Sequence, residues 1–187
     1  MSLGLYLHIP YCFSKCRYCD FYSHPGERGV PEAYVDALLR ELSRFAPERP
    51  LQPDTLYFGG GTPSLLRPEQ AKRLIDAARP MPGAEITLEA NPETVTEESL
   101  AGFREAGVNR ISFGVQSARD TQLRTLGRPH TAKQARAAFA AAQRAGFANI
   151  SGDIMLALPH YTEAEFDETL ELIEGGGATH IRKKHIC

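Results

Sequence analysis

The sequence predicts an α/β fold built on a parallel sheet, and three observations carry that expectation. Apolar strand-like runs alternate with amphipathic helical segments along almost the whole chain. The connections between them are short and carry glycine, proline or capping residues. The residues able to do chemistry gather where successive strands end. Repeated β-α units of this kind give right-handed crossovers and either an open doubly wound sheet or a barrel.

Strands are expected over residues 3–9, 55–58, 85–90, 110–115 and 149–155, with a sixth beginning near Ala178. Between the first two, residues 31–45 place Tyr34, Leu38, Leu42 and Phe45 on one helical face. Pro68 suits the first turn of a second helix carrying Leu74 and Ile75. Thr96 followed by Glu97 and Glu98 reads as a capped start with acids at the positive end of the dipole. Gly107 and Gly146 sit where two helices should stop. Thr162 and Glu165 form a capping box ahead of Phe166, Leu170 and Ile173.

Composition narrows the function. The 187 residues are 42% hydrophobic with a net charge of −2, enough for one sizeable core and no electrostatic case for nucleic acid as a partner. No apolar run approaches a membrane span, so no integral membrane segment is expected.

Cys12-Phe-Ser-Lys-Cys16-Arg-Tyr18-Cys19 is the most informative run. A cubane iron–sulfur cluster has four irons, so three thiolates leave one corner open for a molecule that is not protein. A disulfide framework does not suit a chain of this size with four cysteines and no signal peptide. Zinc competes, with three cysteines and a distant fourth ligand. It usually arrives as two C-x2-C pairs, and no second pair exists. Cys187 looks unrelated. Thiols arranged for an oxygen-sensitive cluster point to a reducing compartment, the cytoplasm by default.

Further candidates follow the other strands. Gly59-Gly60-Gly61-Thr62-Pro63 follows the second, and residues without Cβ let backbone approach a ligand; a plain tight turn would look the same. Glu89 and Asn91 close the third strand, Gln116 and Ser117 the fourth, and Asp153 lies near the end of the fifth. Asp153 interrupts an apolar run, where a carboxylate is costly unless paired or bound to a ligand. His8 reads as a hydrogen-bonded rim residue. All lie toward the carboxyl ends of parallel strands, the catalytic rim of a β/α barrel.

With these motifs in this order, the chain resembles the radical S-adenosylmethionine (SAM) superfamily. More narrowly, it is similar to the group of oxygen-independent coproporphyrinogen III oxidases and their heme-chaperone relatives. The shared pattern runs through Tyr6-x-His8-Ile9-Pro10, the three cysteines, the triple glycine, Glu89-x-Asn91-Pro92, Gly114-Val115-Gln116, Leu126-Gly127-Arg128 and Asp153 followed by Leu158-Pro159. The resemblance implies a partial TIM-type (β/α)6 radical SAM barrel with its last strand incomplete. It implies that Cys12, Cys16 and Cys19 hold a [4Fe–4S] cluster whose open iron takes the amino and carboxylate groups of SAM. Reduction then splits the sulfonium to give a deoxyadenosyl radical, chemistry that belongs to the cofactor pair. Tyr6, Gly60, Gly61, Thr62, Glu89, Gln116, Arg128 and Asp153 match positions that contact SAM, and Tyr18 matches one beside its adenine.

Two departures refine the expectation. The oxidases carry a further cysteine two residues after the third, where this chain has Phe21, and the Cys19-Asp20-Phe21 continuation is that of the heme-chaperone branch. The chain also starts directly at the first strand, where the oxidases carry a longer leading segment. The implied function is a chaperone core that carries heme as cargo to an acceptor, with an electron donor for the cluster. The alternative is oxidative decarboxylation of coproporphyrinogen III. The second departure is at the far end. Residues 1–181 read as the radical SAM core, and 182–187 as an aberrant or truncated tail, because three consecutive cations poorly continue a buried parallel strand. A C-terminal domain present in relatives is expected to be missing.

Overall fold

The computed structural model describes residues 3–45, 51–156 and 161–185. Cys187 and the Leu158-Pro159 pair lie outside them. Six strands form one sheet in the order β1 (Gly4–Ile9), β4 (Thr55–Gly60), β5 (Glu85–Ala90), β6 (Arg110–Gln116), β7 (Asn149–Leu156) and β8 (His180–His185). Every neighbouring pair is parallel. Each strand therefore pairs with its predecessor in this sheet, without the reversal of order that marks a doubly wound sheet. The arrangement is that of a barrel in progress, with β1 and β8 as its two unjoined edges. A second small pairing, β2 (Tyr11–Cys12) with β3 (His24–Pro25), closes the loop that carries the cysteines.

Helices α1 (Glu32–Phe45), α2 (Pro68–Ala78), α3 (Glu97–Ala106), α4 (Asp120–Leu126), α5 (Ala132–Arg144) and α6 (Glu163–Gly175) fill the crossovers. The core lies between them and one face of the sheet. Leu7 and Ile9, Leu56 and Phe58, Ile86 and Leu88, Ile111 and Phe113, and Ile150 and Ile154 alternate onto that face. They meet Val35, Leu74, Leu100, Phe103, Phe139 and Ile173 from the helices. Capping boxes open α3, α5 and α6 at Thr96, Thr131 and Thr162. Gly107 stops α3 at φ 111°, a left-handed backbone that glycine adopts without strain.

Two local expectations change, and one helix had no sequence signal. Phe45 is 76% exposed, and fully buried Val35 takes its place in the α1 contact, so the buried stripe is rotated by one residue. Helix α4 has only Leu123 and Leu126 as buried residues, too few to announce a period; Gly127 ends it at φ 72°. Strand β8 runs beyond Ile181 through Arg182, Lys183 and Lys184, paired with β7 as far as Leu156↔His185. An edge strand tolerates cations where an interior strand does not, and the inner face opposite them is acidic.

That inner face explains why the sheet is a site as well as a scaffold. It carries Tyr6, Tyr57, Thr87, Glu89, Ser112, Asp153, Arg182 and Lys184, where barrels used only as a packed core carry branched apolar side chains.

Candidate functional site: a three-cysteine loop over a polar barrel mouth

The cysteine loop leaves β1 at Pro10 and is anchored at several points. Arg17 donates its backbone N–H to Leu126 O at 3.0 Å, and Cys19 donates to Cys16 O at 3.2 Å. Glu27 N donates to Cys12 O at 3.1 Å and Gly26 N to Phe13 O at 3.0 Å, which ties the far end of the loop back to its start. His8 is the rim residue expected, with Nε2 3.1 Å from Tyr22 O. Cys12 is buried and Cys16 and Cys19 are half-buried, and all three are free thiols.

The triple glycine lies directly against this loop. Gly61 N donates to Ile9 O at 2.9 Å and Thr62 N to Tyr11 O at 2.8 Å. Those two amides therefore serve the cysteine strand. A Cβ on Gly61 would lie 2.7 Å from Tyr11 O and 3.0 Å from Cys12 Sγ. One on Gly60, at φ 111°, would lie 2.5 Å from the His8 ring. The missing side chains are needed first for chain-on-chain approach, while Gly60 and Gly61 still line the cavity below.

A hydrogen-bonded chain connects two of the thiols. Thr62 Oγ1 donates to Cys12 Sγ at 3.4 Å and accepts from Asn91 Nδ2 at 3.1 Å. Asn91 Oδ1 accepts from Arg128 Nη2 at 3.0 Å, and Arg128 Nη1 donates to Cys16 Sγ at 3.5 Å. Arg128 Nη2 also donates to Gly114 O. Gly114 makes room for it, since a Cβ there would overlap the guanidinium. Arg128 is buried, which opposes its charge, yet its surroundings, Tyr18, Cys16 and the Glu93 carboxylate among them, raise its pKa and keep it charged. Burial pushes the Cys12 thiol up, with the Thr62 bond working against it. Burial likewise raises the Tyr18 hydroxyl, against the pull of Arg128.

Below the loop lies a cavity of about 460 Å3. Its lining includes all three cysteines together with Tyr18, Gly60, Gly61, Thr62, Glu89, Gln116, Arg128 and Asp153. Tyr6 alone of the residues matched to cluster or SAM positions does not line it: its ring stacks on Tyr57 at 5.9 Å and is half exposed. Three buried polar atoms on lining residues have no hydrogen-bond partner, Ser23 Oγ, Gln116 Oε1 and Arg128 Nε. Gln116 also holds φ 69°, an uncommon left-handed backbone for a side-chain-bearing residue, at the end of β6. Buried polar atoms without partners mark where a ligand would bond.

Sequence reasoning missed several lining residues. Asn91 was part of a motif but carried no role. Ser112, Met155 and Lys184 also face the cavity. Ser112 and Met155 were signalled only by strand parity, as inner-face neighbours of Asp153. Lys184 fell in a segment set aside as a tail.

A sequence model of the radical SAM superfamily matches residues 6–173. The chain belongs to that superfamily. Within it, the chain is 43% identical over 165 residues to the heme chaperone HemW of Escherichia coli, covering 84% of this chain and 43% of the relative. It is 40% identical to HemW of Haemophilus influenzae over 185 residues, covering 92% and 48%. Among solved structures, the coproporphyrinogen III oxidase HemN of Escherichia coli, described as a radical SAM enzyme, superposes with a TM-score of 0.87 at 28% identity. That match covers all of this chain and 44% of the oxidase. The chain spans less than half the length of these relatives. No helix among the described residues is long and apolar enough to cross a membrane.

Proposed function

We propose that this chain is the cluster- and SAM-binding core of a HemW-type heme chaperone, with heme as cargo passed to an acceptor. The observation that carries the reading is the convergence of three free thiols, Gly60 and Gly61, and three unmet polar atoms on one cavity. Cys12, Cys16 and Cys19 would hold a [4Fe–4S] cluster. Gly60, Gly61, Thr62, Glu89, Gln116, Arg128 and Asp153 would hold SAM, with Tyr18 against its adenine. Tyr6 would act from outside the lining, through Tyr57. The cluster, when bound and reduced, supplies an electron to the SAM sulfonium.

The chain's own residues do the rest. Thr62 and Arg128 donate to two sulfurs and so would tune the electronics of a cluster held there. Gln116 Oε1 offers an acceptor to a ligand N–H or O–H, and Arg128 Nε a donor to a carboxylate. Among the described residues no three His, Cys, Asp or Glu side chains converge on a single ion. The cluster would need a reducing compartment, the cytoplasm, and an electron donor.

Phe21 favours chaperone over oxidase. It lines the cavity where the oxidases carry a further cysteine. The test is anaerobic incubation of the reconstituted protein, joined to the C-terminal half of a HemW relative, with SAM, reductant and coproporphyrinogen III. Heme bound tightly without protoporphyrinogen formation is expected; protoporphyrinogen produced over many turnovers would establish the oxidase reading instead.

A further inference from the structure

Two cations on β8 engage the carboxylates assigned above to the ligand. Arg182 Nε donates to Asp153 Oδ1 at 3.0 Å and Nη2 to Asp153 Oδ2 at 3.2 Å. The same Nη2 donates to Glu89 Oε1 at 2.9 Å, and Nη1 to the Tyr57 hydroxyl at 3.0 Å. The Tyr57 hydroxyl in turn donates to Glu89 Oε1 at 2.6 Å. Lys184 Nζ lies 2.6 Å from Asp153 Oδ2, and Ser112 Oγ lies 3.4 Å from Asp153 Oδ1. Each Asp153 oxygen thus holds two donors, which fills the lone-pair capacity of that carboxylate.

We propose that Arg182 and Lys184 set the ligand specificity of the cavity by acting as built-in counter-cations for Asp153 and Glu89. A ligand that offers an ammonium, a sulfonium or ribose hydroxyls to this wall must displace them. The chain therefore binds SAM weakly, and it binds more tightly once they are removed. Two carboxylates alone would present a doubly negative wall; with two cations the wall is neutral, and its attraction for a cationic ligand is largely cancelled. The exposures make the cations the yielding partners. The Asp153 side chain is 3% exposed, while Arg182 is 38% and Lys184 32% exposed. Lys184 itself lines the cavity.

The inference rests on the SAM-site reading, and the experiment separates the two. The reconstituted full chain and its Lys184→Ala, Arg182→Ala and doubly substituted variants are compared by equilibrium dialysis against SAM. Iron content and circular dichroism are checked for each. Lys184→Ala leaves Asp153 paired with Arg182 and should stay folded even where Arg182→Ala does not. SAM affinity is expected to rise roughly tenfold when the cations are removed. Unchanged or weaker binding by the folded Lys184→Ala protein would overturn the counter-cation role and leave the SAM site standing. Failure of every iron-loaded protein to bind SAM would overturn the site reading, and this proposal with it.

Discussion

Gly61→Ala is the smallest change that tests whether the glycine loop and the cysteine loop are one unit. The added methyl carbon would lie 2.7 Å from Tyr11 O, 2.9 Å from Ile9 O and 3.0 Å from Cys12 Sγ. Two of those neighbours are backbone carbonyls, which cannot swing aside as a long side chain would. Relief therefore requires the loop to lift from β1 and β2, and it stretches the Gly61 N–Ile9 O and Thr62 N–Tyr11 O bonds. Each such bond contributes about 1 kcal/mol net, and overpacking alone costs about 1–3 kcal/mol. With both bonds lost, a fall of roughly 3–5 kcal/mol in unfolding free energy is expected from these terms. Urea denaturation followed by circular dichroism measures it, with iron content after anaerobic reconstitution as the second readout. Cluster loading should fall with stability, because Cys12 Sγ is displaced. Wild-type stability together with full iron content would refute the claim that the two loops are packed as one. Gly60→Val should also disturb the cysteine side, through the His8 ring and a φ of 111° that valine resists.

Three further outcomes follow from the same geometry. Thr62→Val removes the donor to Cys12 Sγ and the acceptor for Asn91; the cluster should form with a lower reduction potential, read by redox titration followed by electron paramagnetic resonance. Arg128→Ala leaves Asn91 Oδ1 and Gly114 O without their donor, and a loss of roughly 2–5 kcal/mol is expected in urea unfolding. Burial pushes the Asp153 carboxyl up, but Lys184 and then Arg182 outweigh it and hold it below the ordinary carboxylate range. Its stabilising contribution is thus present above the unfolded carboxylate pKa and lost as pH falls through the lower folded value. Wild type should lose more stability than Asp153→Asn on acidification below about pH 5, as measured by thermal melts across pH; parallel profiles would contradict the pairing.

Much of this molecule was legible in the chain because strand parity and capping are local. Ile86, Leu88 and Ala90 alternate against Thr87 and Glu89, and that period marks the strand that ends beside Glu89. Thr162 with Glu165 announced α6 in the same way. What stayed hidden depends on partners far along the chain. The cations of β8 read as a poor strand until Asp153 and Glu89, 29 and 93 residues from Arg182, are seen opposite them. The glycine run read as a ligand cradle because nothing local says that Ile9 and Tyr11 take up its amides. Tyr6 matched a family position, yet its stacking on Tyr57 keeps it out of the cavity lining. The order of motifs was sufficient for the family, since the cysteine run, the triple glycine, Glu89-x-Asn91, Gly114-Val115-Gln116 and Asp153 fall at or near the ends of successive strands of one sheet.

The central claim is that three thiols hold a cluster with one open corner. Anaerobic reconstitution with iron and sulfide, followed by iron, sulfide and zinc analysis and Mössbauer spectroscopy, tests it directly. The account predicts about one [4Fe–4S] cluster per chain, lost in Cys12→Ala, Cys16→Ala and Cys19→Ala and kept in Cys187→Ala. A stoichiometric zinc ion that persists through reconstitution, with no iron bound, would contradict it.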